Sequence, residues 1–339
     1  MALFSIEKVR IDGVSACVPK NSVSNLDYAL LTERERQLFV KTTGIEKRRL
    51  ADRSITTSDL CFHAAEKLIE ELGWDKREIG LLIFVTQSPD YLIPATAPIL
   101  QNRLGLSTQT MAFDINLGCS GYVYGLSVGS SLVSSKAATK ALLLVGDVSY
   151  YLVPENNRST YPLFGDAGSA TALSFQQGQK MDFNLQSDGS GYDAIIVPDG
   201  GCKNPFNNDL KCDASMSLDG MKVFNFSLRE VAPNVRELLK FIGDPKEKFE
   251  YYVFHQANLL MNEAIRKKLD IGPERVPYSL REFGNTVSAS IPLTMVTELR
   301  GQLRQKKINL ILAGFGVGLS WGSVSCTTDR IVCPELIEI

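Results

Sequence analysis

FDINLGCSGYVYGL, residues 113–126, leaves an apolar strand-like stretch, passes through glycine and cysteine, and opens onto the apolar face of a helix. Tyr122, Val123, Leu126 and Leu132 share that face at helical spacing. Cys119 therefore sits at a strand-to-helix junction between Gly118 and Gly121. The N-terminus of a helix favours a thiolate and lowers a thiol pKa, and flanking glycines let a substrate approach the backbone. Free cysteines are also among the most buried residues. These residues fit a nucleophile and a packed core thiol equally.

Working outward, apolar strand-like runs alternate with helical stretches, the signature of an α/β chain. IGLLIFVTQS (79–88) reads as a buried strand, APILQNRLGL as a short helix, KALLLVGDVSY (140–150) and GSATALSF (168–175) as further strands. TTSDLCFHAAEKLIEELG (56–73) has polar caps, an apolar stripe through Leu60, Ala64, Leu68 and Leu72, and a terminal glycine, all marks of a helix. In the second half, EYYVFHQAN (250–258) is a strand ending in polar residues, and NEAIRKKL continues as a helix. VPYSLREFGNTVSASIPLTMVTELRGQL gives a short strand, a polar turn and a helix, and KINLILAGFGVG (307–318) and LSWGSVSCTT give two more strands.

The two halves run in parallel. The strand beginning at Ile79 is followed about 34 residues later by FDINLGCSG, and that at Glu250 about 33 residues later by FGNTVSASI. Each then meets a helix, an apolar strand ending in glycine (LLLVGD, LILAGFG) and a small-residue strand, which reads as an internal duplication of two halves, 1–175 and 176–339, packed as one body. The segment 176–249 is the irregular part; SDGSGYDAIIVPDGGCKNPFNNDLKCD, rich in Gly, Asp and Asn, reads as loops.

A chain of 339 residues with 44% hydrophobic content can bury a large core, and a net charge of −2 gives no bulk drive toward nucleic acid or an anionic membrane. No signal peptide is visible, and no apolar run approaches the ~18 residues of a membrane span. The seven cysteines, Cys17, Cys61, Cys119, Cys202, Cys212, Cys326 and Cys333, are odd in number, scattered and without CxxC. That argues against a disulfide framework or zinc site and for a reduced, cytoplasmic setting.

Two histidines confine any imidazole chemistry to His63 or His255. His63 lies within the amphipathic helix near Glu66 and is expected to face solvent or a local partner. His255 has the form of a satisfied core histidine, yet Gln256 and Asn258 follow it, bringing several hydrogen-bonding groups to the carboxyl end of a strand, where α/β sheets place their sites. Asn285 reads as a Gly-Asn turn residue, but in the duplication it occupies the slot of Cys119, and a pseudo-twofold would bring both helix starts to one centre. GFGVGLSWG (314–322) fails the dinucleotide pattern. It reads as a tight turn or as backbone N–H groups offered to an oxyanion. Cys, His and Asn together suggest acyl chemistry. They also match a papain-like protease in type and order, but the signature around that family's cysteine is missing.

DINLGCSGYVYGL, FGDAGSA, VFHQAN, FGNTVSASIPL and AGFGVGLSWG, with TTGIEKRRL and SDGS, resemble in order and spacing the motifs of β-ketoacyl-acyl carrier protein synthase III, a condensing family of the thiolase superfamily, from about residue 8 to 325. The resemblance implies a five-layered αβαβα thiolase-like fold working as a homodimer. Cys119 would carry the acyl group as a thioester, and His255 and Asn285 would support decarboxylation of a malonyl thioester. The backbone N–H groups of Cys119 and Val317 would form the oxyanion hole. No metal or redox cofactor is implied; the substrates would be acyl-CoA or acyl carrier protein and malonyl-acyl carrier protein. Arg158, Gln256, Asn258, Lys267 and Lys268 would contact substrate or carrier; taken alone, the basic pair reads better as a solvated helix face, and an acidic carrier protein is what makes docking reasonable. Ile93 would line the acyl pocket from the partner subunit.

Departures from the family pattern concern the donor. Leu38 and Thr42 stand where housekeeping members carry a Trp and an Arg that clasp the CoA adenine, and Leu260 replaces a basic residue just after HQAN. Leu38, Thr42 and Ile93 predict poor use of acetyl-CoA relative to longer donors, whereas the change at Leu260 bears on carrier-protein docking. The rival readings are an acyltransferase or quinolone- or polyketide-type synthase of the same family, a cysteine hydrolase, and a non-catalytic dimeric scaffold.

Overall fold

The computed structural model describes residues 2–205 and 215–339, so Cys212 lies outside the described residues. A nine-stranded sheet organises them. Its strands are β1 (Ala2–Val18), β2 (Leu81–Val85), β3 (Met111–Ile115), β4 (Lys140–Asp147), β5 (Ala167–Ser187), β6 (Tyr251–Phe254), β7 (Lys307–Gly316), β8 (Ser320–Asp329) and β9 (Ile337–Glu338). Helices α1 (Glu33–Thr43), α2 (Thr57–Leu72), α3 (Thr96–Arg103), α4 (Gly121–Ser134), α5 (Gly220–Ile242), α6 (Leu259–Leu269), α7 (Leu280–Phe283), α8 (Ser290–Glu298) and α9 (Arg300–Gln305) surround it.

The sheet is two wings sharing two long strands. One wing runs β3-β2-β4 in parallel, then antiparallel through residues 167–175 of β5 to residues 9–17 of β1. The other runs β6-β7 in parallel, then antiparallel through β8 and residues 182–187 of β5 to residues 2–7 of β1. A register shift between Glu7 and Val9, with Gly178 at φ 76°, carries the pair from wing to wing. The boundary expected at residue 175/176 therefore falls inside one continuous strand that serves both halves.

Period-two alternation assigns the layers. Leu82 and Phe84 of β2 and Leu142 and Leu144 of β4 pack with α2 and α3, whereas Leu81, Ile83, Val85, Leu143 and Val145 face α4 and α8. Leu310 and Leu312 of β7 join that same central layer, while Ile311, Ala313 and Phe315 turn to α5 and α6. The result is helix, sheet, helix, sheet, helix. In α2, Thr56 and Asp59 form a reciprocal capping box and Gly73 closes the helix in the left-handed region.

Three expectations are corrected. The segment 176–249 is not irregular throughout: it holds the end of β5 and the 23-residue α5, capped by Asp219 and burying Val223, Phe226, Val231, Val235 and Leu238. This helix sits in the second wing as α2 does in the first. No strand forms at 276–278, and the helix expected after Asn285 divides at Leu299 into α8 and α9.

Candidate active site

The carboxyl ends of β3, β6 and β7 and the turn before α8 converge on one cavity of about 140 Å3, lined by Cys119, His255, Asn285 and Val317. The sequence separates these residues widely; the paired wings bring them together.

Cys119 lies two residues before α4 and is 9% exposed. The helix start carries no side-chain cap. Two backbone amides interact with the thiol, those of Val317 and of Cys119 itself. Both oppose the dominant effect, which is burial: desolvation pushes the thiol up to about 12. The thiol lowered by a helix terminus is therefore not what the fold produces; the resting group is neutral. The glycines have a different task from the one expected. A Cβ on Gly118 would lie 2.3 Å from Gln87 Oε1 and 2.9 Å from Val317 Cγ1, and one on Gly121 would lie 2.6 Å from Val85 Cγ1. They admit neighbouring protein groups.

Gly314 and Gly316 bring the 314–318 turn against Cys119. A Cβ at Gly316, where φ is 156°, would lie 2.7 Å from Cys119 Cβ, and one at Gly314 would lie 2.9 Å from the Cys119 carbonyl oxygen. Ser120 Oγ and Ser320 Oγ, 2.7 Å apart, join the same two segments. The glycine-rich stretch thus aims the Val317 amide at Cys119.

His255 follows β6 and is buried. Its N–H donates to the Ala313 carbonyl at 2.8 Å, and its carbonyl accepts from Asn262 Nδ2 at 3.0 Å. Nδ1 is 2.7 Å from Ser290 Oγ, and the ring meets Phe315 edge-on with centroids 5.5 Å apart. Burial lowers its pKa to about 3, against a backbone hydrogen bond at Val287. The imidazole is neutral at any physiological pH.

Asn285 is fixed through its backbone. Its N–H donates to Leu163 O at 2.9 Å, and its carbonyl accepts from Gly165 N–H at 3.0 Å. Oδ1 accepts the Val287 N–H at 2.9 Å, so the amide turns its Nδ2 donors elsewhere.

Asp147, at the end of β4, was not singled out in the sequence. It is 4% exposed, and burial raises its carboxyl to about 6. One oxygen accepts from the Gln87 N–H at 2.8 Å and the Thr86 hydroxyl at 3.2 Å. The other accepts from the Ser288 hydroxyl and, at 3.2 Å, the Ser288 N–H. It ties the ends of β2 and β4 to the turn that carries Asn285. An acidic residue closing the apolar run LLLVG was the available signal.

The remaining candidates separate. Asn258 lines the cavity, and its Oδ1 caps α6 at Met261 N–H. Gln256 does not line it: Nε2 donates to Phe254 O and Oε1 accepts from Ser279 N–H, so both amide ends brace the backbone. Arg158 pairs with Glu35 at 3.0 Å, away from the cavity. Lys267 and Lys268 stand exposed at the end of α6, and Lys268 Nζ donates to Leu228 O. Ile93 is 89% exposed and Leu92 87%, at the tip of the loop after β2 and outside this chain's own cavity. His63 is exposed on α2. Among the described residues, no group of three or more His, Cys, Asp or Glu side chains could hold a metal, and no helix is long and apolar enough to cross a membrane.

With this geometry in hand, two family models match the chain. "3-Oxoacyl-[acyl-carrier-protein (ACP)] synthase III" covers residues 113–189, which include Cys119, and its C-terminal counterpart covers 241–327, which include His255, Asn285 and Val317. The chain is 33% identical over 342 residues to a β-ketoacyl-[acyl-carrier-protein] synthase III of Rhodopirellula baltica, covering 94% of this chain and 98% of the relative. A 3-oxoacyl-(acyl-carrier protein) synthase structure from Burkholderia xenovorans superimposes with a TM-score of 0.96 at 39% identity, over 99% of each chain. A synthase III structure from Pseudomonas aeruginosa gives 0.86 at 31%, over 96% and 99%.

Proposed function

Because the chain belongs to the 3-oxoacyl-[acyl-carrier-protein] synthase III family of condensing acyltransferases, we propose that it joins an acyl group to a malonyl thioester by decarboxylating Claisen condensation, with acyl carrier protein as partner. The observation that carries this reading is the convergence of Cys119, His255, Asn285 and the Val317 amide on one cavity.

In the first half-reaction the Cys119 sulfur attacks the donor thioester carbonyl. The new S–C bond forms, the donor's C–S bond breaks, and the donor thiol leaves with the Cys119 proton. In the second, the malonyl C–C bond breaks, carbon dioxide departs, and its electron pair becomes an enolate. Two neutral donors, the His255 imidazole and Asn285 Nδ2, stabilise the enolate oxygen. The depressed His255 pKa supports this role, since a neutral ring needs no proton exchange to serve as a donor. The enolate carbon attacks acyl-Cys119, and the tetrahedral oxyanion rests on the Cys119 and Val317 amides. The C–S bond then breaks, and the thiolate released takes a proton from solvent. Electron pairs move only among carbon, oxygen and sulfur, so the scheme calls on no resident cofactor.

The exposed Leu92–Ile93 tip supports a homodimer in which each copy's tip meets its partner's acyl pocket. Leu38 and Thr42, both exposed on α1 where housekeeping members of the family carry a Trp and an Arg, support a donor other than acetyl-CoA. A plain acyltransferase would need no enolate-stabilising pair.

Carbon dioxide release from malonyl-acyl carrier protein tests the division of labour. His255→Ala and Asn285→Ala are each expected to lower it by about 10²–10³-fold while self-acylation persists. Equal loss of both half-reactions would overturn the assignment.

A further inference from the structure

Gln87 lines the cavity two residues beyond β2, and its backbone is fully engaged. Its N–H donates to Asp147 Oδ1 at 2.8 Å, and its carbonyl accepts from the Tyr151 hydroxyl at 3.1 Å. The side-chain amide, by contrast, has no hydrogen-bond partner among the described residues. It is half-buried and lies against Gly118, the residue before the nucleophile, so closely that a side chain there would have to displace it.

The other polar side chains of this wall have tasks. His255 and Asn285 face the malonyl chemistry, and Asn258 caps α6. The rest of the lining is apolar, with Leu163, Ile195, Met216, Leu218, Val223 and Met261. An amide can offer two donors and two acceptor lone pairs. Anchored by its backbone in a wall whose other polar side chains are engaged, it discriminates sharply between a ligand that hydrogen-bonds to it and one that cannot.

We propose that Gln87 is a specificity-determining residue that hydrogen-bonds an oxygen on the acyl group carried by Cys119. The donor class is then an acyl thioester oxygenated within its first few carbons, as a 3-hydroxy or 3-oxo acyl group, in preference to the plain saturated chain. This rests on the acyl-Cys119 reading above. Gln87 comes from the first half of the chain and lies beside the nucleophile, whereas the malonyl-activating pair comes from the second.

The test is competition. The wild-type protein is offered an equimolar mixture of hexanoyl- and 3-hydroxyhexanoyl-acyl carrier protein, and the two Cys119 adducts are resolved by intact-protein mass. The oxygenated adduct is expected in excess by roughly tenfold or more. Gln87→Met, close in length and shape, should lose most of that preference; Gln87→Glu, which keeps acceptors and drops the donors, separates donor from acceptor roles. An excess of hexanoyl adduct or equal adducts in the wild type overturns the proposal without a variant. So does an oxygenated preference that Gln87→Met leaves intact, or a Gln87→Met defect confined to malonyl-dependent discharge. No Cys119 adduct from any donor would overturn both this inference and the condensing scheme, an outcome distinct from equal adducts.

Discussion

At the scale of single residues, the sulfur of Cys119 illustrates two opposing effects. An uncapped helix start and two amides favour the thiolate, and burial opposes it more strongly, leaving the thiol near 12. A raised thiol pKa means the thiolate fraction grows tenfold per pH unit throughout the neutral range. Alkylation of Cys119 by iodoacetamide should therefore rise about tenfold per pH unit from about pH 7 to 9 without levelling. A plateau near neutrality would show that the amides win instead. Cys119, His255 and Asn285 were legible because motif and duplication marked them. Asp147 and Gln87 were not, because their roles depend on which backbone they meet across the fold. Gln256 stood beside His255 in sequence, yet its side chain turns into the backbone network, which spacing alone does not reveal.

At the scale of elements, alternation and capping made most strands and α2 readable, since their buried faces follow one period. Helix α5 escaped. Loop-forming composition precedes it, and Pro233 interrupts its interior, although eight buried positions keep helical spacing. The β7–β8 turn is the element that the proposed mechanism loads most, because it carries the Val317 amide. Gly316→Ala would place a methyl group 2.7 Å from Cys119 Cβ in a backbone region that disfavours side chains. Displacement of the Val317 amide should then lower acylation by about 10²–10³-fold. A thermal unfolding midpoint near that of the wild type would place the defect in the site. Wild-type acylation by Gly316→Ala would remove the turn from the mechanism.

At the scale of the whole molecule, two wings share β1 and β5, so Cys119, His255 and Asn285 are held by one continuous sheet. The repeat of strand order was visible in the sequence. The shared strands were not, because the sequence marks 168–175 as a strand but lets its continuation through 176–187 pass for loop. Leu92 and Ile93 form an exposed apolar tip on the loop after β2. Replacing both residues by lysine should convert a dimer to monomer in sedimentation equilibrium. A dimer unchanged by L92K/I93K would assign the interface to another surface.

The central claim is that Cys119 holds an acyl group which a malonyl thioester then removes. Intact-protein mass spectrometry tests it directly, by exposing wild-type protein to acyl carrier protein and CoA donors and then to malonyl-acyl carrier protein. The account predicts a mass gain mapped to Cys119, absent in Cys119→Ala, that disappears on malonyl addition with release of a β-ketoacyl thioester. An adduct that survives malonyl addition, or one that forms in Cys119→Ala, would contradict it.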